Sequence, residues 1–278
     1  MQFAGVNGVT LHFQLLSAAR GKPLIVFINS LGTDFRIWRD VIVDLAGRAS
    51  MICYDKRGHG LSSTGVAPYT MDDHVGDLIA LLEHVGVSGA ILCGVSVGGM
   101  IAQGVYARRP DLVSALVLCD TGHKIGGEAM WNDRITRVTE DGIAALVDPI
   151  LERWFSPEFR QTRSEELEGY RNMLVRQPVE GYAGTCAAIR DADFTEAAGR
   201  IAVPALCLVG DQDGSTPPQL VGELAALIPG ADFEVIAGAG HLPSIEQPGA
   251  LSARIVKFIL EHGLSNAPAD NDNRGALH

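Results

Sequence analysis

The segment that most constrains this chain is a serine held between glycines. Gly94-Val95-Ser96-Val97-Gly98 follows a short apolar, β-prone run, Ala90 to Cys93, and precedes a helical stretch, Gly99 to Arg109, closed by Pro110. An apolar run of that length reads as a buried parallel strand. A serine on the tight turn between such a strand and a helix is a nucleophile elbow. The turn is strained, and side chains at positions 94 and 98 would collide with the neighbouring strand and helix. The chain has 32 glycines, so the pentapeptide by itself is weak; its flanks give it meaning.

The rest of the chain supplies a matching scaffold. Asn7-Gly8 marks a tight hairpin joining two starting strands that end near Leu15. Strand-like runs follow at Leu24 to Asn29, Met51 to Tyr54, Ala90 to Cys93 and Ala115 to Cys119. Helical stretches lie at Phe35 to Leu45 and Met71 to Val85, the latter with apolar residues recurring every three and four positions. From residue 121 to 200 no buried strand is evident, only helix-like segments rich in arginine and glutamate. The strand pattern returns at Ala205 to Val209 and Phe233 to Ile236, and Leu251 to Leu260 closes as a helix. The expected architecture is α/β: a mostly parallel eight-stranded sheet, helices on both faces, and an inserted helical cap. Residues 1–120 and 201–264 would form the core, 121–200 the cap, and 265–278 a polar, disordered tail.

Composition narrows the functional class. The 278 residues suit one large α/β domain or a core with an insertion, and 47% hydrophobic residues can fill its interior. No run approaches the roughly 18 apolar residues of a membrane span, and no signal peptide is visible at the N-terminus. Five cysteines without a Cys-x-x-Cys pair point to free thiols in a reducing cytoplasm. A formal charge of −11 argues against nucleic acid or an anionic membrane as partner. An anionic substrate would then need local arginines to overcome a repulsive field. Oligomeric state is not fixed by the sequence.

A serine hydroxyl needs a base, and the base needs an orienting acid. The elbow and the alternating pattern resemble the α/β-hydrolase fold, in which the triad follows the order Ser, Asp or Glu, His. His241, in Gly238-Ala239-Gly240-His241, lies on the loop after the last strand and is the favoured base. His59, in Asp55-Lys56-Arg57-Gly58-His59-Gly60, is its rival but reads better as a structural hydrogen-bonding residue. His12, His74, His84, His262 and His278 read as surface or packing residues. For the acid, Asp213 in Gly210-Asp211-Gln212-Asp213 reaches past a strand end; Asp211 reads as a turn cap, and Asp120 remains an alternative. The oxyanion hole would use the backbone N–H groups of Val97 and of Leu31, within Asn29-Ser30-Leu31-Gly32.

Further phrases carry a more specific resemblance. Asn29-Ser30-Leu31-Gly32-Thr33-Asp34, Tyr54-Asp55-Lys56-Arg57-Gly58-His59-Gly60 and Cys93 to Met100 are similar to 3-oxoadipate enol-lactonases of the α/β-hydrolase superfamily. So are Thr121 to Gly126, Arg153-Trp154-Phe155 and Glu180 to Asp191 in the cap region. The resemblance runs from residue 1 to about 262. It implies hydrolysis of an unsaturated lactone bearing an acetate side chain, through an acyl-serine, with no metal or organic cofactor. It also implies a carboxylate contact in the cap. Nine arginines but a single lysine lie between residues 121 and 200, alongside 14 acids that most of the arginines would pair with. Arg134, near Trp131, is the expected anion contact, with Trp154 packing over the substrate ring. A broad esterase or haloperoxidase-like hydrolase, a C–C bond hydrolase, and a non-catalytic ligand receptor of the same fold are the competing readings. A long apolar pocket would favour the other hydrolases.

Overall fold

The computed structural model describes residues 1–264; the expected tail, 265–278, lies outside them. Eight strands form one sheet: β1 (Gln2–Val6), β2 (Val9–Leu16), β3 (Leu24–Ile28), β4 (Ser50–Tyr54), β5 (Ala90–Val95), β6 (Val113–Cys119), β7 (Ala205–Gly210) and β8 (Asp232–Ile236). Their spatial order is β1-β2-β4-β3-β5-β6-β7-β8. β1 pairs with β2, and β2 with β4, antiparallel; every later pairing is parallel. The starting hairpin turns on Asn7 and Gly8, both at positive φ, as the tightest two-residue loop demands.

Every residue of β3, β5 and β7 is buried, so both faces of the sheet are covered, as their unbroken apolar runs require. The covering helices pack in pairs: Arg39–Leu45 against Pro248–Glu261, and Met71–Val85 against Val97–Arg108. Met71–Val85 has the expected bounds for a local reason. Thr70 and Asp73 make a reciprocal capping box at its start, and Gly86 ends it in the left-handed conformation. Two helix starts differ from expectation. Phe35–Trp38 is a 3-10 turn ahead of the α-helix, and the helix after the elbow begins at Val97, directly behind the serine.

The chain fills β3 and β4 on one side, then crosses to place β5 on the other side of β3. A crevice at the carboxyl ends of the strands opens at such a switch point. Between β6 and β7 the chain is helical, with helices at Glu128–Asp141, Val147–Trp154, Pro157–Thr162, Ser164–Val175 and Val179–Asp191. This inserted segment packs onto the crevice. An added Cβ at Gly181 would lie 2.1 Å from the Gly58 carbonyl oxygen, and one at Gly32 would lie 2.6 Å from Leu174 Cδ1. No helix among the described residues is long and apolar enough to cross a membrane.

Candidate active site

Ser96 sits at the end of β5 with φ 59° and ψ −122°, a backbone shape that non-glycine residues rarely adopt. The glycines around it are required by contact. A Cβ on Gly94 would lie 2.3 Å from the Gly98 carbonyl, and a Cβ on Gly98 would lie 2.2 Å from the Ile28 carbonyl of β3. The loops after β7 and β8 bring Asp213 and His241 to the same edge. His241 Nδ1 lies 2.9 and 3.0 Å from the Asp213 carboxylate oxygens, and both side chains are buried. Thr216 Oγ1 donates to Asp213 at 2.7 Å, and the Ser215 and Thr216 amides add 2.7 and 3.0 Å bonds. Burial raises the Asp213 pKa, but His241 and the Thr216 donors outweigh it and hold the carboxyl below its ordinary range.

The two other candidate acids have different work. Asp211 accepts the Gly238 and Ala239 amides and closes the turn. Asp120 is fully buried behind the pair, and its Oδ1 accepts the Gly210 N–H at 2.9 Å, fastening the end of β6 to β7. Burial, reinforced by the Asp213 charge, pushes its pKa well up. His59 is likewise engaged: its Nε2 accepts the Gly32 N–H at 3.0 Å while Nδ1 faces the Arg57 carbonyl at 3.1 Å. Burial, reinforced by Lys56, holds this ring well below its ordinary pKa and so neutral.

A cavity of about 80 Å³ lies over these residues, walled by Ser30, Leu31, Ser96 and His241 from the sheet side. Trp131, Arg134, Arg153, Trp154 and Tyr182 close it from the inserted helices. No hydrogen bond joins Ser96 to His241 among the described residues, yet both face this space. Leu31 N–H has no acceptor there either, and Val97 N–H opens its helix. Arg134 Cζ lies 5.2 Å from the Trp131 ring centroid, and Trp131 Nε1 donates to the Ile125 carbonyl. Among the described residues Arg134 and Arg153 form no ion pair, and neither do Arg137 and Arg176 of the same segment, whereas Arg160, Arg163, Arg171, Arg190 and Arg200 all do.

A sequence profile of the alpha/beta hydrolase fold matches residues 23–248. The chain is 35% identical to 3-oxoadipate enol-lactonase 2 of Acinetobacter baylyi, over 83% of this chain and 86% of that one. It is 32% identical to 3-oxoadipate enol-lactonase 1 of the same organism, over 87% and 90%. The crystal structure of the enol-lactonase from Burkholderia xenovorans superposes with a TM-score of 0.90 at 34% identity, covering 93% of this chain and all of that one. The chain belongs to the α/β-hydrolase family. It is an ester-hydrolysing enzyme of that family.

Several features of this α/β-hydrolase's site escaped the sequence reading. Arg153 stands beside Trp154 in a phrase already singled out, but nothing local shows that its side chain faces the cavity. Trp154 serves twice: its ring lines the cavity, and its carbonyl accepts the His241 N–H at 2.8 Å. Glu246, buried below the His241 loop, accepts the Gly240 amide and both the amide and hydroxyl of Ser156. The hydrolase thus ties its His241 loop to the inserted segment. Lys56 is buried beneath Ser30, whose carbonyl it reaches, and nothing in its own run of sequence shows that.

Proposed function

We propose that this α/β-hydrolase opens 3-oxoadipate enol-lactone to 3-oxoadipate, a step in aromatic-compound breakdown, with Ser96, His241 and Asp213 as its triad. The observation that carries this reading is one small cavity holding a candidate nucleophile on one wall and, on the other, two guanidiniums that form no ion pair among the described residues. A substrate with an ester carbonyl and a carboxylate a few atoms apart fits that pair of features. The long-chain esters of a general esterase do not. The relatives named 3-oxoadipate enol-lactonase support the same substrate.

Ser96 Oγ attacks the lactone carbonyl carbon while His241 Nε2 takes its proton, and Asp213 holds the ring at Nδ1. The oxyanion is bound by the Leu31 and Val97 amides. Collapse breaks the ring C–O bond and expels an enolate, a far better leaving group than an ordinary alkoxide, which then ketonises. His241 next activates water, which releases the acyl group from Ser96. Residues 121–200 act as a cap over the core formed by 1–120 and 201–264. Within the cap, Arg134 and Arg153 grip the carboxylate, and Trp131 and Trp154 flank the ring. Five buried free thiols, Cys53, Cys93, Cys119, Cys186 and Cys207, suit a reducing cytoplasm.

The test follows loss of the enol-lactone's ultraviolet absorbance. Ser96→Ala should lower kcat by roughly 10⁴-fold or more; a variant that turns over like wild type refutes the nucleophile. Arg134→Ala should raise KM for the lactone about 10- to 100-fold, the worth of a charge-assisted contact, and leave a small neutral ester unaffected. Equal effects on both substrates remove Arg134 from the carboxylate. Fast cleavage of aryl esters with no lactone turnover would make the protein a general esterase.

A further inference from the structure

The loop that carries the Leu31 amide rests on a buried cation. Lys56 is 1% exposed, and its Nζ donates to the Ser30 carbonyl oxygen at 2.5 Å. That oxygen also accepts the Thr33 hydroxyl at 2.9 Å and the Thr33 amide at 3.3 Å. The next amide, Gly32 N–H, is held by His59. A buried ammonium ordinarily sits against a carboxylate, but among the described residues Lys56 forms no ion pair. The neighbouring acids are engaged elsewhere. Asp55 accepts from His12 Nδ1 at 2.8 Å and from the Phe35 and Leu61 amides, while Asp34 pairs with Arg36.

The Ser30 C=O and the Leu31 N–H belong to one planar peptide unit. A cation at the oxygen draws electron density from the nitrogen and makes the opposite N–H a stronger donor. We propose that Lys56 is a positioning residue for the reaction: it fixes the Ser30–Leu31 peptide and polarises it toward the oxyanion. The inference rests on the reading of Leu31 as an oxyanion donor. It differs from simple loop anchoring, which a neutral donor would accomplish as well. Burial, opposed by Asp55 and Asp34, brings the Lys56 pKa down to about 7, so its charge is full below neutrality and fades above it. The other titratable groups facing it, His59 and His74, are kept neutral at that pH by burial.

The probe is a trifluoromethyl ketone bearing a carboxylate, which adds Ser96 and carries an oxyanion; 3-oxoadipate serves as a ground-state ligand without one. Lys56→Met should weaken the ketone about 10- to 100-fold and lower lactone kcat by the same factor, with KM and 3-oxoadipate binding within about twofold. Lys56→Arg should restore much of the ketone affinity. The wild-type advantage over Lys56→Met should shrink as pH rises from 6 to 8.5. Equal losses for ketone and 3-oxoadipate, or no loss for either, overturn the proposal. Should Lys56→Met fail to fold, Lys56→Gln, a neutral donor that can keep the anchoring bond to Ser30, takes its place: ketone affinity and kcat should fall as for Lys56→Met, and unchanged values overturn the proposal. A wild type that binds the ketone no better than 3-oxoadipate overturns the oxyanion reading itself. Tight ketone binding that Lys56→Met leaves intact removes only Lys56.

Discussion

Ser96 holds a backbone conformation that glycine adopts freely and serine does not, and it does so where the proposed chemistry needs an exposed hydroxyl. Strain of this kind costs about 1–3 kcal/mol. Ser96→Gly releases it and adds back some chain entropy, so the inactive variant should be more stable than wild type by about 1 kcal/mol in urea unfolding. Equal or lower stability would show that the elbow is relaxed. Asp120 offers a second residue-scale test. Burial and Asp213 push its carboxyl well above the ordinary range, toward the neutral form whose shape Asp120→Asn copies. The amide oxygen can still accept Gly210 N–H, and lactone kcat should stay within about threefold. A loss of about 10³-fold would instead make Asp120 the acid that serves His241.

At the scale of elements, the inserted helices are fastened to the core at several places. Gly181 meets Gly58 backbone to backbone, Gln177 accepts the Gly60 amide at 3.0 Å, and Glu246 bridges Ser156 to the His241 loop. Glu246→Ala leaves the Gly240 and Ser156 donors without their acceptor, at a cost of about 2–3 kcal/mol. Because the Gly240 amide directly precedes His241, kcat should fall about tenfold or more. A variant with lowered stability and unchanged kcat would separate the bridge from the base. These fastenings also mark where the sequence stopped being informative. β3, β5 and β7 were legible because strands buried on both faces need unbroken apolar runs, and Asn7-Gly8 because a two-residue hairpin needs positive φ twice. Ser96, Asp213 and His241 were legible as a set because strand order alone carries them to one sheet edge. Glu246, Arg153 and Lys56 were not. Arg153 and Lys56 lie in phrases the sequence singles out, but the environment of each, like that of Glu246, is made by residues far away in the chain.

Over the whole molecule, the buried titrating groups set how stability responds to pH. The folded pKa of Lys56, about 7, lies below its ordinary 10.5, so between those values the unfolded chain binds the extra proton and stability rises with pH. His59 and His74, pushed down by burial, refuse the proton that the unfolded chain accepts below 6.5, so stability is lost as pH falls through that value. Asp120, raised by burial and Asp213, opposes the histidines over the acidic range, since the unfolded carboxyl gives up its proton from 3.8 upward. On the alkaline side Cys53, Cys186 and Cys207 are raised to about 12 by burial, so stability falls once unfolded thiols ionise near 9. The maximum should therefore lie at about pH 8–9, above neutrality. Lys56→Met removes the rising limb. Its stability relative to wild type should be greatest at pH 6 and decline by a few kcal/mol toward pH 9. Urea midpoints at constant ionic strength from pH 5 to 10 measure both curves. A difference between the two proteins that does not vary with pH would show that Lys56 keeps its charge throughout. The proposed catalytic role needs that charge, and stability is higher without it. The same measurement therefore shows how much folding free energy the protein forgoes to keep a cation under its oxyanion loop.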